Sequence, residues 1–171
     1  MTKTMKGKAA VNKDRAAPAK YDERRILLFD RSDKEQVIIT ARHLAAAAGF
    51  DEVNQFLIAT AASELATNIV NYAQKGELTL RIVQRDKRLG IEIIARDNGP
   101  GIRDIEQALQ DNFSTTKGSL GLGLPSVKRI MDEFEIESRP GSGTVVSARK
   151  WSDYVKSGLP PGKAGAYPQR S

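Results

Sequence analysis

The sequence predicts an α+β, two-layer α/β sandwich, with helices on one face of a mixed, mostly antiparallel sheet. Three observations carry that expectation. ELTLRIVQRD (77–86) and LGIEIIARD (89–97) alternate apolar and polar residues and are separated only by a turn from Asp86 to Gly90, the pattern of paired strands. Two long segments of helical periodicity precede them and a third follows. The resulting order, β-α-α-β-β-α-β-β, collects strands into one sheet and leaves the helices to cover it.

RRILLFD (24–30) is short, apolar and bounded by charge, as a first strand should be. SDKEQVIITARHLAAAAGF (32–50) follows as a helix, with Ser32 placed to cap it, Glu35 three residues on, and Gly49 as its stop. DEVNQFLIATAASELATNIVNYA (51–73) is a longer helix ending near Gly76. After the strand pair, residues 98–121 look irregular, and LGLPSVKRIMDEF (122–134) returns to helical periodicity. EIESRPGSGTVVSARKW (135–151) is a hairpin with PGSG at its turn.

Composition narrows the function. The 171 residues suit one domain, expected over 21–151 between a basic tail (1–20) and a Gly/Pro-rich tail (152–171). No apolar run reaches the length that spans a bilayer, and there is no secretory signal at the start. The absence of cysteine excludes disulfides and thiol chemistry and suits a reducing cytoplasm, and a single histidine, His43, excludes a multi-histidine metal site. The formal charge of +6 points toward nucleic acid only until it is located. Lys3, Lys6, Lys8, Lys13, Arg15 and Lys20 face only Asp14 in the first tail, and Lys156, Lys163 and Arg170 outweigh Asp153 at the other end. The body is nearly neutral, so nucleic acid is not the expected partner, and the basic arm reads as a solubilising disordered segment.

Four boxes stand out. On the second helix, Glu64, Asn68 and Asn71 share one stripe at 100° per residue, beside an apolar stripe of Ile58, Ala61, Leu65, Ile69 and Tyr72. A solvated polar face would look the same, although asparagine is a poor helix former. ARDNGPGI (95–102) ends a strand on Asp97 and runs into Gly99, Gly101 and Ile102. An ordinary Asp-Asn-Gly turn is the plain reading, and a carboxylate reading an exocyclic amine is the functional one. STTKGSLGLGLPSV (114–127) sets Gly118, Gly121 and Gly123 before a helix, as a phosphate-approaching loop does, in neither the dinucleotide nor the P-loop order. GSGTVV brings Thr144 into a strand from a glycine turn.

In this order the four boxes resemble the GHKL ATPase superfamily, whose fold is the Bergerat ATP-binding sandwich, and the resemblance covers essentially all of 21–151. It implies ATP and Mg²⁺ as cofactors. It implies Glu64 as the carboxylate that orients or deprotonates the attacking nucleophile, and Asn68 as the Mg²⁺ ligand, with Asn71 beside it. Asp97 would accept from the adenine amine, while Gly99, Gly101 and Ile102 pass close to the base. Gly118, Gly121, Leu122, Gly123 and Leu124 would form the phosphate cradle and the helix start behind it. Thr144 would bond on the adenine side, and residues 102–120 would form a mobile lid. Lys117 lies near the phosphates, either as lid surface charge or as a γ-phosphate contact. Length leaves no room for the transducer domain of gyrase- and MutL-type members, and His43, followed by Leu44, is expected to be structural or on the surface.

SELATNIVNYA, DNGPGI, FSTTKGSLGLGLPSVKRIMDEFEIES and the closing KW are most similar to the stressosome switch serine/threonine kinases. What that implies is phosphorylation of STAS-domain partners of the RsbS/RsbR kind, followed by release to activate a downstream regulator. The anti-sigma-factor kinases, which sequester a sigma factor and phosphorylate its STAS antagonist, are the alternative.

Overall fold

The computed structural model of the chain describes residues 3–7, 22–110 and 123–155. Six strands, β1 (Lys3–Gly7), β2 (Glu23–Leu28), β3 (Gly76–Arg85), β4 (Arg88–Asp97), β5 (Glu133–Ser138) and β6 (Thr144–Val155), form one sheet in the order β1-β5-β6-β4-β3-β2. Every pairing in it is antiparallel, where the sequence left room for a parallel one. Four helices, α1 (Asp33–Ala47), α2 (Glu52–Asn68), α3 (Ile105–Ala108) and α4 (Gly123–Ile130), complete the described fold, with a π-helical turn (Ile69–Ala73) continuing α2.

Alternation along the strands decides which face the helices cover. Leu78, Leu80, Ile91, Ile93, Val146, Ala148, Phe134 and Ile136 share one face and are buried, together with Val37, Ala41 and Leu44 of α1, Ile58, Ala61 and Leu65 of α2, and Val127 of α4. Asp51 opens α2 with its carboxylate accepting from Asn54 N–H at 2.8 Å. α1 closes as expected, Phe50 N–H reaching Ala45 O and Gly49 N–H reaching Ala46 O. Its start differs from the expectation. Ser32 Oγ makes no cap and instead donates to Asp30 Oδ1, while Asp33 Oδ2 accepts from Phe29 N–H and Asp30 N–H. The local Asp30–Ser32 turn competes successfully for the serine hydroxyl.

Three expected boundaries move. The last helix ends at Ile130, not 134, because Asp132 N–H bonds Arg149 O at 2.8 Å and Glu133 begins a strand beside β6. β6 runs past Trp151 to Val155, and Ser152 is buried, so the fold extends into the segment assigned to the tail. Lys3–Gly7, assigned to a disordered basic arm, pairs with β5 as the edge strand β1. Its register sets Lys3 opposite Ser138 and Lys6 opposite Glu135.

The other face of the sheet carries a row of alternating charge, Glu23, Arg81, Glu92, Arg149 and Glu133, in register across β2, β3, β4, β6 and β5. Glu92 is only 1% exposed and is held by Arg81 on one side and by Arg149 Nε, at 2.6 Å, on the other. Arg149 also donates to Glu133 at 3.1 Å. Partial burial pushes the Glu133 carboxyl up, but hydrogen bonds from Arg85, Trp151 and Arg149 outweigh it and hold the group below its ordinary range. Arg149→Leu removes one of the two guanidinium partners of a buried carboxylate. The expected loss is about 3–5 kcal/mol, read as a shift of the urea midpoint. Arg81→Leu should cost less, since its second partner, Glu23, is exposed and 3.6 Å away, whereas Glu133, the second partner of Arg149, is more buried and at 3.1 Å; equal midpoints for the two variants would refute that ranking.

Candidate functional site

A cavity of about 450 Å³ opens between α2, α3, α4 and the ends of β4 and β6. Leu65 and Ile69 from α2 and its π turn, with Ala95 and Val146 from the sheet, supply apolar lining. Asp97 and Thr144, in register at the ends of β4 and β6, stand together on one side. Asn68, Gly123, Leu124 and Pro125 line it where α2 meets α4.

The Asp97 side is built by two backbone crossings. A Cβ on Gly143 (φ +83°) would stand 2.0 Å from Asp97 O, and one on Gly101 (φ +70°) would stand 2.0 Å from Arg139 O. Both positions are left-handed and both face backbone, so no other residue fits either. Gly141 N–H clasps Pro100 O at 2.7 Å, and Ile102 N–H reaches Ser138 Oγ at 2.8 Å. The Asn98–Ile102 loop is thereby tied to the Arg139–Gly143 turn. Gly99 does not line the cavity; its N–H donates to Asp97 Oδ1 at 2.8 Å and aims the carboxylate. Burial raises the Asp97 carboxyl above its ordinary value, only partly offset by backbone N–H bonds from Gly99 and Thr144. Gly143→Ala should weaken ligand binding more than tenfold and lower the melting temperature by several degrees, by strain at positive φ and collision with Asp97. Calorimetry on the variant checks both, and unchanged melting would refute the crowding argument.

The opposite side rests on α2. Glu64 and Asn68, one turn apart and both half-buried, converge on the first residue of α4. A Cβ on Gly123 would meet Asn68 Oδ1 at 3.2 Å, Asn68 Nδ2 at 3.4 Å and Glu64 Oε2 at 3.5 Å, so a bare backbone lets the helix start close against these two side chains. A carboxylate and an amide oxygen therefore stand beside helical N–H groups that favour an anion. Among the described residues no group of three or more His, Cys, Asp or Glu could hold a metal by itself. The site suits Mg²⁺ only in the way that ion commonly binds, through one protein oxygen plus phosphate and water.

Of the residues expected from sequence, Asn68, Asp97, Gly101, Ile102, Gly123, Leu124 and Thr144 line one cavity, with Glu64 adjoining it. Asn71 does not join them. The helix widens to a π turn at Ile69–Ala73, breaking the 100° period, and Asn71 is exposed. The same turn brings Tyr72, expected on the sheet-facing stripe, to the cavity wall at 40% exposure. Lys117, Gly118, Gly121 and Leu122 lie outside the described residues. The expected lid at 102–120 is firm at its start: Ile102 is tied to Ser138, Asp104 Oδ1 caps α3 through Gln107 N–H, and Ile105 is 1% exposed. Arg103, Asp104, Gln107 and Ala108 line the cavity unforeseen, since no periodicity in so short a helix announces them. His43 is exposed on α1, away from the cavity.

A family model described as "Histidine kinase-like ATPase domain" matches residues 31–150. The chain is 50% identical over 110 residues to the serine/threonine-protein kinase RsbT of Bacillus subtilis (strain 168), covering 64% of this chain and 82% of that protein. It is 39% identical over 99 residues to the anti-sigma F factor of Caldanaerobacter subterraneus subsp. tengcongensis, covering 55% of this chain and 68% of that protein. Among solved structures it is similar to the mycobacterial sensor histidine kinase MprB, at 16% identity and a TM-score of 0.47, over 77% of this chain and 97% of that one.

Proposed function

The chain belongs to the histidine kinase-like ATPase domain family, and from that premise we propose that it is a serine/threonine protein kinase of a bacterial stressosome-type partner-switching pathway, transferring the ATP γ-phosphate to STAS-domain proteins and then released to act on a downstream regulator. The observation that carries this is the convergence of Glu64 Oε2 and Asn68 Oδ1 on the start of α4, at the edge of the cavity that holds Asp97. The 50% identity to RsbT supports the acceptor class.

Phosphoryl transfer is mostly a matter of positioning and charge neutralisation. Asp97 accepts from the exocyclic amine of adenine, and the apolar floor takes the ring. Amides at the start of α4 face the phosphate oxygens. Asn68 Oδ1 would hold Mg²⁺ alongside those oxygens, and the bound ion supplies charge neutralisation. Glu64 orients the incoming hydroxyl and accepts its proton as that oxygen bonds to the γ-phosphorus and the bond to the β-phosphate oxygen breaks. Among the described residues no helix is long and apolar enough to cross a membrane.

Incubation with ATP, Mg²⁺ and a STAS-domain protein, read by mass spectrometry, should show one phosphate added to a serine or threonine of that protein. ATP hydrolysis with no protein phosphorylation would reject the kinase reading. The 39% identity to an anti-sigma F factor favours a second reading, that of an anti-sigma factor that phosphorylates its STAS antagonist. Capture of a sigma factor in preference to a STAS protein would select it.

A further inference from the structure

Ser138, the last residue of β5, is 5% exposed and does not itself line the cavity. Its hydroxyl makes three contacts: Ile102 N–H donates to it at 2.8 Å, Gly143 O lies at 2.9 Å, and Thr144 Oγ1 lies at 2.9 Å. A serine hydroxyl has one proton and can accept two more. Gly143 O can only accept and Ile102 N–H can only donate. One assignment makes all three contacts hydrogen bonds: Ser138 gives its proton to Gly143 O and accepts from both Ile102 N–H and the Thr144 hydroxyl. If Ser138 gave its proton to Thr144 instead, its oxygen and Gly143 O would face each other as two acceptors at 2.9 Å, a contact that costs free energy in a buried setting.

We infer that Ser138 is a positioning residue that sets the hydrogen-bond polarity of Thr144. By drawing the Thr144 proton away from the cavity, it leaves the threonine oxygen there as an acceptor. The cavity then presents acceptors on that side from two residues in register, the Thr144 oxygen and the Asp97 carboxylate. A purine with an exocyclic amine can donate two N–H groups to such a pair, whereas a 6-oxo purine brings one N1–H donor and a carbonyl, which leaves one acceptor facing another. Rejection of the carbonyl-bearing base is thus shared by Asp97 and a buried serine that never touches the ligand. This rests on the adenine-nucleotide reading of the cavity and deepens it.

The experiment is calorimetric titration of the full chain with ADP and with IDP, whose base carries a carbonyl and a protonated N1 where adenine carries the amine and an unprotonated N1. Wild type should bind ADP more tightly; binding neither would overturn the nucleotide reading, and the inference with it. Ser138→Ala frees the Thr144 proton to turn into the cavity. ADP affinity should fall by about three- to tenfold while IDP affinity holds or rises, so that discrimination shrinks. Ser138→Thr keeps the hydroxyl and should restore the ratio. Loss of ADP and IDP affinity by the same factor would mean that Ser138 is merely structural, and would overturn the inference. Should Ser138→Ala fail to fold, Thr144→Val reads the same polarity directly. Removing an acceptor weakens ADP binding more than IDP binding; the reverse order would show Thr144 donating into the cavity and overturn the inference.

Discussion

Glu64→Ala should bind ADP within about threefold of wild type and transfer phosphate at least 10²-fold more slowly. The asymmetry follows from where the side chain stands. Glu64 adjoins the cavity at Gly123 without being one of the residues that line it, so it contributes little to holding a ground-state nucleotide. On the proposed mechanism its carboxylate acts when the acceptor hydroxyl approaches, and removing it lowers the transfer rate with little change in affinity. Glu64→Gln is the sharper variant. It keeps the shape beside Gly123 and removes the basicity, so it should be nearly as slow as alanine. Transfer to the STAS acceptor at near wild-type rate by either variant would take the base role away from Glu64.

Asp97→Asn should separate binding from stability. The carboxylate is the acceptor proposed for the adenine amine, and loss of a charged hydrogen bond in a partly buried site should lower ADP affinity by about 10- to 100-fold. Its folded-state value is raised above the ordinary 3.8 by burial. A carboxyl with a raised folded value adds stability that is fully present below the unfolded value and is lost as pH rises through the folded one. At neutral pH the ionised Asp97 therefore opposes folding. The unliganded asparagine variant should be at least as stable as wild type there, with the gap closing as pH falls toward 3.8. Wild-type ADP affinity should begin to fall at a higher pH than an ordinary aspartate would set, and the variant's profile should lack that step. Thermal melts and titrations across pH measure both; a destabilised neutral-pH variant would contradict the burial argument.

Much of the site was legible because it lies where sequence periodicity meets a geometric necessity. Asp97 closes an alternating strand, and Gly101 and Gly143 occupy left-handed positions pressed on backbone. Glu64 and Asn68 are one α-helical turn apart, within the part of the helix that keeps its 100° period. Asn71 and Tyr72 depart from the positions a 100° period predicts because they fall in the π turn. Hydrogen bonds one residue longer than α-helical ones leave no mark on the pattern of apolar residues. Ser138 carried no signal at all, since a serine at a strand end is unremarkable until its hydroxyl is seen between three elements.

By itself the sequence determined the two-layer class, the identity and order of the strands and helices from Arg24 onward except the four-residue α3, and the chemical types gathered at the site. Period, turn chemistry and residue type are local properties, and they survive without knowledge of what packs where. Tertiary structure alone decided the all-antiparallel register, the capture of Lys3–Gly7 as an edge strand, the charge row centred on buried Glu92, and the hydroxyl pairing of Ser138 with Thr144. Each of these joins residues far apart in the chain or depends on how neighbouring strands are set against one another. Their free energy comes from desolvation and hydrogen-bond geometry that exist only once the sheet is assembled.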